Sequence, residues 1–187
     1  MGQLGDVLPA ALVAGITFSE REALDAALVD LAGEFGPVEM ESPEFAFDMT
    51  DYYNAEMGEN LKKGFFCFRR PVQMESLPDI KLRTNAIERR HARGGGKNAA
   101  RRVNIDPGYV TLSKLVLATT KDYSHRISIG GGIYAEVTLR FQGGAFIPLE
   151  TTYPDYRTPL ALAFFNQVRD YVKRNSRAWT RETASRS

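Results

Sequence analysis

From Ile133 to Phe141 the chain alternates: Ile133, Ala135, Val137, Leu139 and Phe141 are apolar, with Tyr134, Glu136, Thr138 and Arg140 between them. That period of two predicts an antiparallel strand with one face in the core and the other polar. Gly130, Gly131 and Gly132 precede it, and an "ISI" run precedes them. Parity then sets the turn. A two-residue loop closing Gly130 on Ile133 would place Ile127 opposite Glu136, whereas a three-residue loop pairs Ile129 with Ile133 and Ile127 with Ala135 on one face. The second register is predicted. It sets Arg126 opposite Glu136 on the polar, wet face and turns His125 inward, opposite Val137. Gly143-Gly144 then turns the chain into "AFIPL", which completes a three-stranded C-terminal β-meander.

Upstream, Leu12 to Phe18 is a compact apolar run suited to a buried strand. Ser19 and Glu22 have capping-box spacing, and Leu24, Ala27, Leu28, Leu31 and Phe35 form one helical face. Gly36-Pro37 stops that helix, and "VEMES" follows as a second strand, giving a β-α-β start. "DMTDYYNAEMGENLKK" reads as a loop or short helix, "GFFCFRR" as a strand covered on both faces, and "SLPDIKLRTNAIERRHA" as a basic helix. After the flexible "RGGGKNAA", "RRVNI" reads as a strand and Asp106-Pro107-Gly108-Tyr109 as a turn. "TLSKLVLATTK" fits a helix or a strand, with Leu112, Leu115 and Val116 favouring the helix. Pro159 to Lys173 is amphipathic and helical, and the polar tail from Asn175 is expected to fray. These elements predict an α+β fold, a mixed or antiparallel sheet with helices mainly on one face and a ferredoxin-like first half. One domain is expected over 1–187, with its core over about 12–174.

Composition narrows the setting. At 187 residues with 43% hydrophobic and 25% charged residues, the chain resembles an ordinary globular domain. Cys67 is the one cysteine, which excludes a disulfide framework and thiolate metal sites and points to a reducing compartment. "VLPAALVAGITF" is too short to span a bilayer and lacks a basic flank, so a cytoplasmic protein with no membrane partner is expected. A net charge of +1 conceals a strong asymmetry. Twelve Asp/Glu face one Arg between Ser19 and Asn60, while eight Lys/Arg face only Glu88 between Lys81 and Arg102.

The strings "DYYNAEMGENLKKGFFCF", "IKLRTN", "VNIDPGY…KLVLATTKDYSHRI", "GIYAEVTL" and "TYPDYRTP…FF" resemble the bacterial family catalogued as domain of unknown function 4416. The resemblance covers roughly Leu12 to Arg174. It implies a bacterial cytoplasmic protein, sometimes labelled GTP-binding, and carries over no catalytic residues. "GGGK" at Gly94 to Lys97 is followed by Asn98 and comes after a helix, so it lacks the Gly-Lys-Ser/Thr and strand-to-helix context of a phosphate-binding loop.

Two stretches carry candidate chemistry. In Thr120 to Phe141, Lys121 and Arg126, joined by Arg157, would grip phosphate or carboxylate, while His125, with Asp122 or Glu136, would move a proton. The plain alternative is a cross-strand ion pair and a core histidine. In "TTYPDYRTP", Tyr153, Asp155, Tyr156 and Arg157 offer stacking faces, an acceptor and a planar fork, or else a rigid lead-in to the last helix. Asp48, Asp51, Glu56 and Glu59 do not match a calcium loop, and neither a metal nor another cofactor is expected. The leading reading is therefore a protein binding a small anionic ligand, a nucleotide or RNA phosphate. Its rivals are a hydrolase or transferase acting through His125 on a phosphorylated substrate, and a scaffold whose charged zones dock partners. The basic run including Arg83, Arg89, Arg90, Arg93, Arg101 and Arg102 suits nucleic acid only as a lesser alternative, since no recognised motif accompanies it.

Overall fold

A computed structural model describes residues 8–50, 53–94 and 100–184, without the side chains of 54–55 and 181–184. Asp51 and most of the "GGGK" stretch lie outside the described residues. The strands are β1 (Ala10–Phe18), β2 (Val38–Glu41), β3 (Phe45–Ala46), β4 (Lys62–Val72), β5 (Val103–Val110), β6 (Lys114–Thr119), β7 (Ile127–Gly130), β8 (Ile133–Gln142) and β9 (Ala145–Pro148). The helices are α1 (Arg21–Phe35), the single turn α2 (Asn54–Met57), α3 (Leu77–Arg90) and α4 (Pro159–Ala184). All strands join one open antiparallel sheet in the order β2-β4-β1-β5-β6-β8-β7, with β3 beside β4 and β9 beside β8. The fold is α+β.

The first half follows β1-α1-β2-β4-α3-β5 in the spatial order β2-β4-β1-β5. That is the split β-α-β arrangement of ferredoxin-like folds, with β4 inserted between the two strands of the opening β-α-β unit. The rest of the sheet grows outward from β5.

Alternation along β1 and β4 divides the core. Leu12, Ala14, Ile16 and Phe18, with Phe66 and Phe68, pack against α1 and α3. Ala11, Val13, Phe65 and Cys67 turn the other way and meet Phe164, Phe165 and Val168 of α4. Two long helices thus share one face and α4 covers the other. Each fully buried phenylalanine in this double-faced strand contributes roughly 1.5–3 kcal/mol. Single changes there, such as Phe65→Ala, would break both the strand's packing and its hold on α4.

The charge asymmetry is resolved within the chain. Arg83 reaches Glu34 at 3.3 Å, Arg90 and His91 reach Asp30 at 3.5 and 2.9 Å, and Arg102 reaches Glu20 at 2.5 Å. Arg93 also pairs with Glu20. Exposed pairs of this kind contribute only about 0–1 kcal/mol each. They nevertheless occupy much of the basic run, which weakens the case for both nucleic acid and electrostatic partner docking.

Several expected elements differ. Ser19 and Glu22 do not close a capping box, because Glu20 holds the N-cap position and makes no cap bond; its carboxylate goes to Arg93 and Arg102 instead. Asp106-Pro107-Gly108-Tyr109 is no turn but the middle of β5. "KLVLAT" is strand β6, not helix, since Leu115 and Leu117 face one core while Val116 and Ala118 face the other. The last helix continues past Lys173 to Ala184, where Trp179 is buried against the Tyr171 ring at 5.4 Å.

The hairpin keeps the predicted pairing of Ile127 with Ala135 but closes on Gly130 and Ile133 through a two-residue loop, with a bulge absorbing the extra residue. Positive φ values of 99°, 61° and 74° at Gly130, Gly131 and Gly132 explain why glycine fills all three positions. A second bulge lies opposite Leu115/Val116, where Val137 and Leu139 pair with consecutive residues. Thr138 is the inserted residue, so β8 changes faces part way along. Ile133 and Ala135 pack on the α3 side, Leu139 joins the α4 core, and Val137 is left 41% exposed.

Candidate functional site: a cleft where β5 and β6 part

β5 and β6 pair only where Gly108–Val110 meets Leu115–Leu117. A Cβ on Gly108 would stand 2.3 Å from the Val116 carbonyl oxygen, so the strands need glycine to approach this closely. Toward Val103 they separate, and a helix supplies the missing partners. The Ile105 N–H donates to Glu88 Oε1 at 2.7 Å, and Lys81 Nζ donates to the Ile105 carbonyl at 2.8 Å. Pro107 has the same strand parity as Ile105, so its missing N–H falls on this unpaired edge and leaves no ladder bond unmade. The parting opens a cavity of about 530 Å³, within the usual range for small-molecule sites.

The floor is charged and buried. Lys63 is 3% exposed, with Nζ 2.8 Å from Asp155 Oδ2 and 3.6 Å from Asp106 Oδ2. Lys81 Nζ lies 3.8 Å from the other Asp106 oxygen, and Asn104 Nδ2 donates to Asp106 at 3.0 Å. Burial disfavours the charge on Lys63, yet Asp155 and Asp106 outweigh it and hold its pKa above the ordinary lysine value. The same balance lowers Asp106: burial pushes its pKa up, and Lys63, Lys81, Asn104 and Arg101 together pull it below the aspartate range. Glu88 is raised, because burial there exceeds the help from Lys81 and the Ile105 N–H. Burial and then the nearby Asp106 and Asp155 keep the Tyr156 phenol protonated.

The rim is aromatic and cationic. Arg126 is buried, its Nε 2.8 Å from Glu136 Oε2, while NH1 donates to the Lys121 carbonyl at 2.9 Å and NH2 to the Tyr153 hydroxyl at 2.6 Å. Its guanidinium lies under the Tyr123 ring at 4.6 Å. Tyr123 and Tyr153 are 56% and 44% exposed. Across the mouth, Arg101 grips both oxygens of Glu56 at 2.8 and 2.6 Å and lies 5.6 Å from the Tyr53 ring.

Of the residues singled out in the sequence, Lys121, Arg126, Glu136, Tyr153, Asp155 and Tyr156 line this one cavity. Arg126 and Glu136 do face each other, but buried rather than on a wet face, because the switch at Thr138 puts Glu136 on the α4 side. His125 does not point into the core. It is partly exposed and outside the cavity lining, its ring parallel to Tyr123 and Nε2 2.9 Å from Glu136 Oε2. Asp122 is exposed and outside the lining, with no bond to His125 among the described residues. Arg157 lies outside as well, its guanidinium donating to the carbonyls of Leu149, Glu150 and Thr152 and so fastening the preceding turn.

Sequence reasoning missed Lys63, Lys81, Glu88, Asn104 and Asp106 as site residues, and singled out Arg101 only within the basic run. One signal was present for Lys63: it shares the parity of Phe65 and Cys67, which places a lysine on a core-facing row. Among the described residues no group of three His, Cys, Asp or Glu could hold a metal ion, and no helix is long and apolar enough to cross a membrane.

Fold and cleft define a class: an open antiparallel α+β sheet with a ligand-sized polar cavity at a seam between two strands. The model of the family described as Domain of unknown function (DUF4416) matches residues 8–171, and the chain belongs to that family. No curated protein and no solved structure matches the chain.

Proposed function

We propose that the protein binds a small anionic ligand carrying further hydrogen-bonding groups, a nucleotide or phosphorylated sugar in class, in the cleft between β5 and β6. The observation that carries this reading is the convergence of buried charged side chains on one ligand-sized cavity. Chains seldom bury so many ionisable groups for stability alone, and such groups cluster at functional sites. Among the lining residues the cations Lys63, Lys81, Arg101, Lys121 and Arg126 outnumber the carboxylates Glu88, Asp106, Glu136 and Asp155 by five to four. The exposed aromatic side chains of Tyr123 and Tyr153 offer apolar surface to a planar or ring-bearing group.

The test is calorimetry and thermal shift with a panel of nucleotides and sugar phosphates, on wild type and on Lys121→Ala and Tyr123→Ala. Both residues are exposed at the rim, so the folded protein should tolerate either change. At least one panel member should raise the melting temperature, and each substitution should weaken its binding about fivefold or more. A wild-type protein indifferent to every anion overturns the proposal.

A second reading, acid–base chemistry beside the cleft, rests on the contact between His125 and the cavity-lining Glu136. The His125 side chain is 28% exposed, open to solvent and oriented by a carboxylate. Turnover of a bound panel member, lost in His125→Gln with binding retained, would support it; binding with no turnover removes it.

A further inference from the structure

The cavity is chemically two-ended. At its floor, Lys63 and Lys81 face Asp106 and Asp155, two cations against two carboxylates. A ligand anion placed there would meet Asp106 and Asp155 at short range and compete with contacts already made. Uncharged hydroxyls have no such conflict, since each can donate to a carboxylate and accept from an ammonium. Beside these groups stand two buried hydroxyls with no partner among the described residues, Tyr156 Oη and Thr17 Oγ1. Tyr156 is 2% exposed and Thr17 fully buried. A Cβ on Gly15 would be 2.4 Å from Tyr156 Oη and 3.4 Å from Lys63 Nζ, and Gly15 pairs across the sheet with Asp106. Glycine at position 15 therefore lets the phenol end at the floor next to Lys63 and Asp106. A buried hydroxyl left unpaired is a standing destabilisation, and it is relieved if a ligand supplies the partner.

Resting on the anion-binding reading above, we propose that the ligand is a phosphorylated sugar, whose uncharged hydroxyl-bearing ring occupies the floor against Tyr156, Lys63 and Asp106 while its phosphate stays at the rim beside Lys121. The Tyr156 hydroxyl donates to a ring or hydroxyl oxygen, and Asp106 accepts from a sugar hydroxyl. Tyr156 is then the residue that distinguishes a sugar phosphate from phosphate alone.

Calorimetry on the full chain with ribose 5-phosphate, glucose 6-phosphate, AMP and inorganic phosphate tests this, using wild type, Tyr156→Phe and Lys121→Ala. At least one of the three sugar-bearing probes should bind ten times or more tighter than inorganic phosphate, with AMP against the two simple sugar phosphates separating a nucleotide source from a free one. Tyr156→Phe should weaken that probe about tenfold, leave inorganic phosphate within twofold, and leave the melting temperature of the ligand-free protein unchanged or higher. Lys121→Ala should weaken every probe. The proposal is overturned, with anion binding intact, if inorganic phosphate binds as tightly as the sugar-bearing probes or if Tyr156→Phe leaves their affinities unchanged. A ligand-free melting temperature lowered by several degrees in Tyr156→Phe overturns it too, since the hydroxyl would then be structural. Failure of all four probes to bind defeats both readings.

Discussion

Lys63→Met is the perturbation that most directly examines the cavity floor. The side chain is 4% exposed and lies between Asp155 at 2.8 Å and Asp106 at 3.6 Å. Methionine keeps the length and removes the charge, which leaves the 5%-exposed Asp155 carboxylate without its counter-ion. Deleting one partner of a buried pair typically costs about 3–5 kcal/mol, because the surviving charge remains desolvated. At roughly 2–4 °C per kcal/mol for a chain of this size, the melting temperature should fall by about 6–20 °C at pH 7. Two further arms isolate the cause. At acid pH, near 4, a buried carboxylate without a counter-ion is neutralised more readily, so the deficit relative to wild type should shrink. The double variant Lys63→Met/Asp155→Asn, which removes both charges, should regain about 1–3 kcal/mol over the single one. Denaturant unfolding followed by circular dichroism at both pH values measures all three. A loss under about 1 kcal/mol at pH 7, or an equal loss at both pH values, would refute the assignment of a buried, charge-paired lysine.

Asp106 and Glu56 have pKa values lowered below the ordinary carboxylate range in the folded protein, Asp106 against its burial by Lys63 and Lys81 and Glu56 chiefly by its bonds to Arg101. Such groups contribute stability above their unfolded pKa of about 4, and it is lost as pH falls through the folded values. Wild type should therefore destabilise steeply on acidification below about pH 4, and Asp106→Asn should flatten that limb; an unchanged slope in thermal melts from pH 6 to 3 would contradict this. Trp179→Ala should cost roughly 3 kcal/mol in denaturant unfolding, because the buried ring anchors the end of α4. A neutral result would mean that the helix contributes nothing past Asn175.

Elements held by local rules were legible in the sequence. The alternation of β8, the helical face of α1 and the aromatic run of β4 each gave the right element, and the first half assembled as the split β-α-β arrangement those elements suggest. Failures fell where tertiary context overrides a local preference. Pro-Gly in β5 reads as a turn, but the strand edge beyond Pro107 is unpaired, and Gly108 is needed for close approach rather than for bending. The facing of Arg126 and Glu136 followed from parity, yet its side of the sheet did not, because an inserted residue at Thr138 has no alternation signal of its own. The cavity floor draws on β4, α3, β5 and the turn before α4, so no sequence spacing unites Lys63, Lys81, Asp106 and Asp155. Only the parting of two strands does.

The seam also bears on how the sheet is assembled. Ile105 gets its hydrogen-bond partners from a helix rather than from a neighbouring strand, so its N–H gains this partner only when α3 docks. Its hydrogen–deuterium exchange thus reports helix docking and not strand pairing. Glu88→Ala should speed exchange at that amide while Tyr109, whose amide faces β6 inside the paired part of the β5–β6 ladder, keeps its protection.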